Sequence, residues 1–328
     1  MPPSYCNDSN FLDTPAFLSK SLHYFGFLSI PIHLFGAYCI LFKTPPRMKS
    51  VKWSLLNFHF WSSFLDVSFS FLTVPFIFIP VFAGYPLGIL NDFGISEAVQ
   101  TGLVVTTIGL VAVSIIRIFE SRLLILISPY HWWRRARSPW FFFNYTLALT
   151  FYLPTYFTIP DQTTALQQLL SLIPCLPPYV HLDSVFILAV RTRLFLRTLI
   201  VTICCYFAQM AVFARLSERI LKKECNRVSE RTAHLQRKFQ KALVLQLTLP
   251  FLIIFIPLLY LGLSSWLHYH YQSLNNISVI ILSSHGFLST IVMLSVHQPY
   301  REFTKELLSW GARFKRRVSQ VHGTNWIT

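Results

Sequence analysis

AVQTGLVVTTIGLVAVSIIRIFESR, residues Ala98 to Arg122, is the stretch that decides the fold. From Ala98 to Ile116 no residue is charged; then come Arg117, Glu120 and Arg122. A helix rises about 1.5 Å per residue, so this run is long enough to cross a hydrocarbon layer of roughly 30 Å. Charge is excluded from the middle of such a layer, so the Arg117–Arg122 end marks one of its faces. The rest of the chain repeats the pattern. Of 328 residues, 53% are hydrophobic and 12% charged, with mean hydropathy +0.50, whereas soluble domains carry about 25% charge. The fold class is therefore an all-α membrane protein.

Seven apolar runs of spanning length can be marked outward from this one: Leu22–Phe42, Ser54–Phe82, Ala98–Phe119, Trp140–Pro160, Arg197–Phe213, Leu243–Leu263 and Ile277–Val296. Pro31, Pro75, Pro154, Pro250 and Pro257 interrupt them, as neighbouring helices and Ser/Thr side chains permit inside a membrane. The runs are continuous rather than alternating, which excludes a β-barrel. The expected organisation is an N-terminal segment over 1–21, a seven-helix bundle over 22–296 and a tail over 297–328. Met1 to Phe17 has no apolar core of a signal peptide, so the first run is expected to act as its own insertion signal.

Net charge is +15, but the basic residues cluster between apolar runs, which argues against nucleic acid as partner. Lys43, Arg47, Lys49 and Lys52 follow the first run. Arg117, Arg122, Arg134, Arg135 and Arg137 follow the third. Nine more lie between the fifth and sixth, and six lie in the tail. The opposite side carries only Lys20, Arg191, Arg193 and Arg197. By the positive-inside rule the first side is cytoplasmic and the N-terminus is extracellular. On that outer side Asn7-Asp8-Ser9 is a glycosylation sequon at Asn7, and Asn276-Ile277-Ser278 is a second, close to the membrane. Cys6 and Cys175 are the two cysteines placed outside, where a disulfide between them is expected; two unrelated thiols are the alternative.

Several residues stand out for function. Glu120 and Arg122, at the inner end of the third run, can pair with each other or with neighbours and so form a two-state element; interfacial charge that anchors a helix is the alternative. Asp66 sits near mid-membrane, where charge is costly and usually functional; Ser114, Ser283, Ser284, His285 and Ser289 are its candidate partners, directly, through water or around a sodium ion, and a protonated, hydrogen-bonded Asp66 is the alternative. Gln100, Thr101, Tyr152, Tyr156, Tyr260 and Tyr271 are candidate walls of a ligand site at the bundle mouth, although Tyr also populates membrane interfaces. Arg215–Lys241 is charged, and Glu218 with Lys222 at i,i+4 supports helix there. Arg219, Lys222, Arg237, Lys238 and Arg301 thus offer a cationic surface for an acidic or amphipathic partner or for anionic membrane lipid. Phe303, Leu307, Trp310 and Phe314 share one face of an amphipathic helix over about 300–314. In the long outer loop Thr163–Leu172 reads as a short helix. Val185–Val190 reads either as a lid or as an early start of the fifth helix. His268-X-His270 has no nearby carboxylate and no phosphate-binding glycine loop occurs, so neither an enzyme nor a cofactor is expected.

The order and spacing of several motifs resemble the nematode serpentine chemoreceptors of class H, a family of seven-helix G-protein-coupled receptors. The motifs are Tyr38-Cys39-Ile40-Leu41 with Lys43-Thr44-Pro45 and Met48; Asp66 with Pro75 and Pro80; Phe119-Glu120-Ser121-Arg122, similar to the family's Phe-Glu-Asn-Arg; Pro174-Cys175-Leu176-Pro177; Thr232 through Pro250; and Pro299-Tyr300-Arg301. Ser121 departs from the expected Asn. The resemblance implies a plasma-membrane chemosensory receptor, in sensory cilia of neurons. It implies binding of an external small molecule and activation of a heterotrimeric G protein through the inner ends of the third, fifth and sixth helices. Glu120 and Arg122 would then play the part of the rhodopsin-like Asp-Arg-Tyr switch. A small-solute transporter and an inverted ligand-gated channel are the alternatives.

Overall fold

The computed structural model describes residues 10–79, 81–172, 184–190, 192–224 and 230–309, with side chains throughout except at 47, 50, 224 and 230–247. Among these residues seven helical rods form one bundle: α1 Pro15–Phe42, α2 Lys49–Val67, α3 Glu97–Leu126, α4 Trp133–Thr150, α5 Arg193–Glu224, α6 Glu230–Trp266, and α7 in two pieces, Gln272–Ser283 and His285–Val296. α1, α3, α5 and α6 are each long and apolar enough to cross a membrane, and the two pieces of α7 do so together. α3 is the axis of the bundle. It packs on α2, α4 and α5, while α1 packs on α2 and α7, and α6 on α5 and α7. The peripheral helices keep an apolar outer face: on α1, Tyr24 is 77% exposed and Leu34 68%. Bare patches of that kind suit lipid, not water.

Local chemistry accounts for the helix ends. α1 begins earlier than composition suggests because Thr14 accepts the Phe17 N–H at 3.2 Å and Pro15 fills the first helical position. α4 begins at Trp133, not at Trp140, so its arginines are helical; Arg134 Nη2 donates to the Leu124 carbonyl at 2.8 Å and satisfies the last turn of α3. α3 itself runs past Arg122 to Leu126. α5 and α6 extend well beyond their apolar cores toward the basic end. After α7 the chain is helical again over 298–309. There Phe303 stacks on Phe35 at 6.2 Å, Lys43 Nζ lies 4.1 Å from the Phe303 ring, and Leu307 and Leu308 are exposed.

The main correction concerns Ser54–Phe82, read above as one helix. α2 stops at Val67, a wider turn runs over Ser68–Leu72, and Val74 has φ 43°, a left-handed conformation rare for a β-branched residue. The chain then forms strands β1 Pro75–Phe78 and β2 Phe82–Pro86. Val185–Val190 supplies β3, Phe186–Ala189, and helix α5 begins a few residues later at Arg193. The sheet is antiparallel in the order β1-β2-β3, with Phe76 opposite Tyr85 and Gly84 opposite both Ile77 and Phe186. Proline at the first residue of β1 and the last of β2 removes no donor from inside the ladder.

The sheet caps the end of the bundle that bears the N-terminus. Gln162 ties β3 to the short helix Gln162–Leu172 by accepting the Ile187 N–H at 2.8 Å and donating to the Ile187 carbonyl at 3.2 Å. On the other side Gln272, at the start of α7, donates to the Ile77 carbonyl at 3.1 Å, and the His270 ring meets the Ile79 carbonyl. Gly84 has no room for a side chain, since a Cβ would lie 2.2 Å from the Phe76 carbonyl oxygen. Gly84→Val is therefore expected to part β1 from β2. Amide hydrogen exchange over 75–86 should speed up while the helices keep their protection; unchanged exchange at those amides would refute it.

Candidate functional site

Under the sheet lies a cavity of about 180 Å³. Its roof is made by residues of all three strands, including Phe76, Tyr85 and Leu188, and its walls come from α3, α5, α6 and α7. The lining is almost entirely apolar, with Glu97, Gln100 and Thr101 on the first turns of α3 as its polar margin. Burial pushes the Tyr85 phenol up to about 12, so it stays neutral. An apolar cavity with a few polar groups at one side is what a small-molecule site requires.

Of the expected wall residues, Gln100 and Thr101 line this cavity. Tyr152 does not. Its hydroxyl donates to the Ala98 carbonyl at 3.1 Å, and its ring covers Gly102, where a Cβ would meet it at 3.0 Å, so Tyr152 joins the segment just past α4 to α3. Tyr156 stands outside against the Tyr152 ring, Tyr260 falls outside the lining, and Tyr271 stacks on Tyr269 in the loop before α7. The tyrosines therefore pack helices together or face the interface. The strands supply the missing part of the site. The aromatic pattern Phe76, Phe78, Phe82, Tyr85 between prolines was the one available signal for them.

Deeper in the bundle Asp66, fully buried on α2, is the centre of a polar cluster. Asp66 Oδ1 accepts the Gly286 N–H at 2.8 Å and Oδ2 the Phe287 N–H at 2.7 Å; His33 Nε2 of α1 lies 3.2 Å from Oδ2. α7 is bent by 42° here, and its second piece starts at His285. Asp66 thus satisfies freed N–H groups at the positive end of a half-helix. Gly286 is required for the approach, because a Cβ would sit 2.4 Å from the Ser62 carbonyl oxygen. His59 Nε2 lies 2.9 Å from the His33 carbonyl, and Thr290 lies 3.3 Å from His33 Nδ1.

The expected partners of Asp66 are corrected accordingly. Ser283 and Ser284 donate to carbonyls one turn back, at Ile280 and Ile281, and Ser114 bonds Leu110 and Asn57. His285 turns to the Pro250 carbonyl of α6 at 3.2 Å and to Ser62 at 3.4 Å. It therefore shares the cluster without touching the carboxylate. His33 and His59 were missed, because nothing in their local sequence says which face of α1 or α2 meets α7.

At the basic end Glu120 is fully buried. Its carboxylate accepts from Arg137 Nε and Nη2, both at 3.1 Å, and from the Trp133 indole N–H at 3.0 Å, so the clasp joins α3 to the start of α4. The forked geometry is the strong form of such a pair. Arg122 lies within electrostatic reach of His297, just past the end of α7. Nearby, fully buried Tyr300 shares a 2.7 Å hydrogen bond with Thr44. Arg219, Lys222 and Arg301 are exposed, Lys222 paired with Glu218 at 2.7 Å. Cys6, Asn7 and Cys175, and the side chains of Arg237 and Lys238, lie outside the described residues.

Comparison with known proteins gives a consistent result. A family model described as the serpentine type 7TM GPCR chemoreceptor Srh matches residues 13–310. Serpentine receptor class H-72 of Caenorhabditis elegans is 28% identical over 322 residues, covering 93% of this chain and 90% of that one. The crystal structure of squid rhodopsin superposes with TM-score 0.57 at 12% identity, covering 94% of this chain and 91% of that one, a likeness of fold.

Proposed function

Because this chain belongs to the Srh family of serpentine seven-helix chemoreceptors, and is thus a multi-pass membrane protein, we propose that it is a plasma-membrane receptor that binds an external small molecule in the cavity under the sheet and activates a heterotrimeric G protein at its basic end. The observation that carries the reading is the cavity itself: apolar, roofed by a sheet, and tied through Gln272 and His270 to the entry of α7. A ligand that prefers one arrangement of roof and helices shifts the equilibrium between bundle states by its differential affinity for them. The polar cluster at the bend of α7 lies between the cavity and the basic end.

The N-terminus is taken as extracellular from the placement of Lys and Arg, and family resemblance suggests sensory cilia as the location. At the cytoplasmic side the inner ends of α3, α5 and α6 form the docking face, with Arg219, Lys222, Arg237, Lys238 and Arg301 as its cations. Glu120 and Arg122 form the switch, Glu120 through the Arg137 clasp and Arg122 through the inner end of α7. In receptor-bearing membranes screened with small apolar odorants, agonist-stimulated nucleotide exchange on Gα is expected to fall to near background in Arg122→Ala at matched surface density. Equal exchange would remove Arg122 from the switch. Epitope tags at the N-terminus and near Asn226, stained before and after permeabilisation, test the orientation; the reverse arrangement would end the G-protein reading in favour of a channel.

A further inference from the structure

We propose that the cavity under the sheet selects a small, predominantly apolar molecule bearing one neutral hydrogen-bond donor, a hydroxyl or N–H, and that the Oε1 atom of Gln100 reads this donor. The inference rests on the reading of that cavity as the ligand site.

The Gln100 side chain is only 2% exposed. Its Nε2 donates to the Ile95 carbonyl at 2.7 Å. This contact sets which way the amide points, since the reverse orientation would press two carbonyl oxygens together. Oε1 is then left as a buried acceptor with no hydrogen-bond partner among the described residues, on a side chain that lines the cavity. Buried acceptors of this kind are rare in folded proteins, and each calls for a reason. The neighbouring hydroxyls cannot serve it. Thr101 donates to the Glu97 carbonyl and Thr73 to the Ser68 carbonyl, both at 2.8 Å. The Tyr85 phenol can either give or accept, so Gln100 is the group that sets the sign of recognition.

The remaining walls, Val104, Ile108, Leu199, Leu258 and Leu282 among them, offer only apolar contact. A dry cavity of about 150 Å³ holds benzene. The present one therefore suits a single-ring molecule with a short polar substituent. A ligand carbonyl brought against Gln100 would set acceptor against acceptor and strip water from both. A site built around a buried polar atom discriminates strongly against such an analogue. A cation is disfavoured for a separate reason: Glu97, the one carboxylate in the lining, is partly exposed, and an ammonium further in would face hydrocarbon and a neutral amide.

The test uses the full-length receptor in lipid nanodiscs, with affinity read from the dependence of the unfolding temperature on probe concentration. The probes are benzyl alcohol, benzaldehyde and benzylammonium. The variants are Gln100→Met, which keeps the bulk and loses the acceptor, and Gly262→Leu. A Cβ at Gly262 meets nothing nearer than Leu196 Cδ2 at 3.6 Å, so a side chain can start there without a clash, and leucine at this lining position is chosen to take up cavity space.

In the unaltered receptor benzyl alcohol should bind about tenfold more tightly than benzaldehyde, the worth of one good hydrogen bond. Gln100→Met should make the two equal, and Gly262→Leu should abolish both. Should alcohol and aldehyde bind equally and both be lost in Gly262→Leu, the donor inference falls while the cavity stands as a ligand site. Tightest binding of benzylammonium would also overturn it, with Glu97 then as the reading group. If no probe shifts the unfolding temperature, or if Gly262→Leu leaves the shifts intact, the ligand site and the inference fall together. The alcohol-to-aldehyde ratio needs no variant, so a Gln100→Met protein that does not fold still leaves a decision.

Discussion

Asp66→Ala is expected to destabilise the bundle by about 2–6 kcal/mol, because it takes the acceptor away from two buried backbone N–H groups. The carboxylate accepts two backbone N–H groups at the start of the second piece of α7 and faces His33. Alanine leaves both N–H groups buried away from water, and each such loss costs about 1–3 kcal/mol. Asp66→Asn keeps one acceptor and turns an amide NH₂ toward the other N–H, so it should recover part of the loss. Surface expression and thermal unfolding of purified receptor measure the effect. Gly286→Ala provides an independent check from the opposite side, because its Cβ would meet Asp66 Cγ at 2.9 Å as well as the Ser62 carbonyl. The assignment fails if Asp66→Ala unfolds within a degree or two of the unaltered protein.

Arg137→Gln is expected to raise ligand-independent nucleotide exchange on Gα, at matched surface density, by about ten- to a hundredfold in the equilibrium between resting and active states. Hydrogen bonds to a charged group contribute about 1.5–3 kcal/mol, and each 1.4 kcal/mol of resting bias is a factor of ten. Arg137 grips both oxygens of Glu120, so its loss frees the inner end of α3 from α4 and leaves only the Trp133 indole on the carboxylate. Arg137→Lys, which keeps a single-point contact, should lie between. A reduced amount of receptor at the surface with unaltered exchange per receptor would make the clasp a strut, and would take Glu120 out of the switch. The double change Glu120→Leu with Arg137→Leu distinguishes the two costs. Replacement of a whole buried pair by apolar groups is often neutral or stabilising, so folding should recover while the release of α3 persists.

The fold class and the ends of the bundle were legible because lipid acts on composition. Each span has to be apolar over its own length and to satisfy its own backbone, and the loops sort by their positive charge. That suffices to mark Ala98–Phe119 as a spanning helix and Arg117–Arg122 as its end. It also misleads where another environment imposes the same composition. The Pro75–Pro86 strands lie partly buried across the end of the bundle, and a short apolar strand next to a helix cannot be told from its continuation by periodicity. Pro75 looked like a helix kink, and Pro86 stood beyond the end of the apolar run. Once the backbone is seen, they delimit a hairpin.

The site was half legible for a related reason. Gln100 could be nominated because a polar residue in an otherwise apolar run stands out, and Asp66 and Glu120 stand out in the same way. Their partners could not be named. Gly286 lies 220 residues from Asp66 in the chain, and Arg137 reaches Glu120 only because the α4 helix starts early enough to turn it inward.

By itself, then, the sequence determined that this is a seven-helix membrane protein with one basic end, and which of its residues are too polar for their surroundings. The tertiary structure alone decided what each of those residues meets: a half-helix start for Asp66, the Arg137 fork for Glu120, and a sheet-roofed cavity for Gln100. The physical reason is that insertion into lipid tests one helix at a time, residue by residue, whereas pairing depends on the rotation and depth of helices against one another. Those are set by packing across the whole bundle, where close approach at positions such as Gly286 counts for as much as charge.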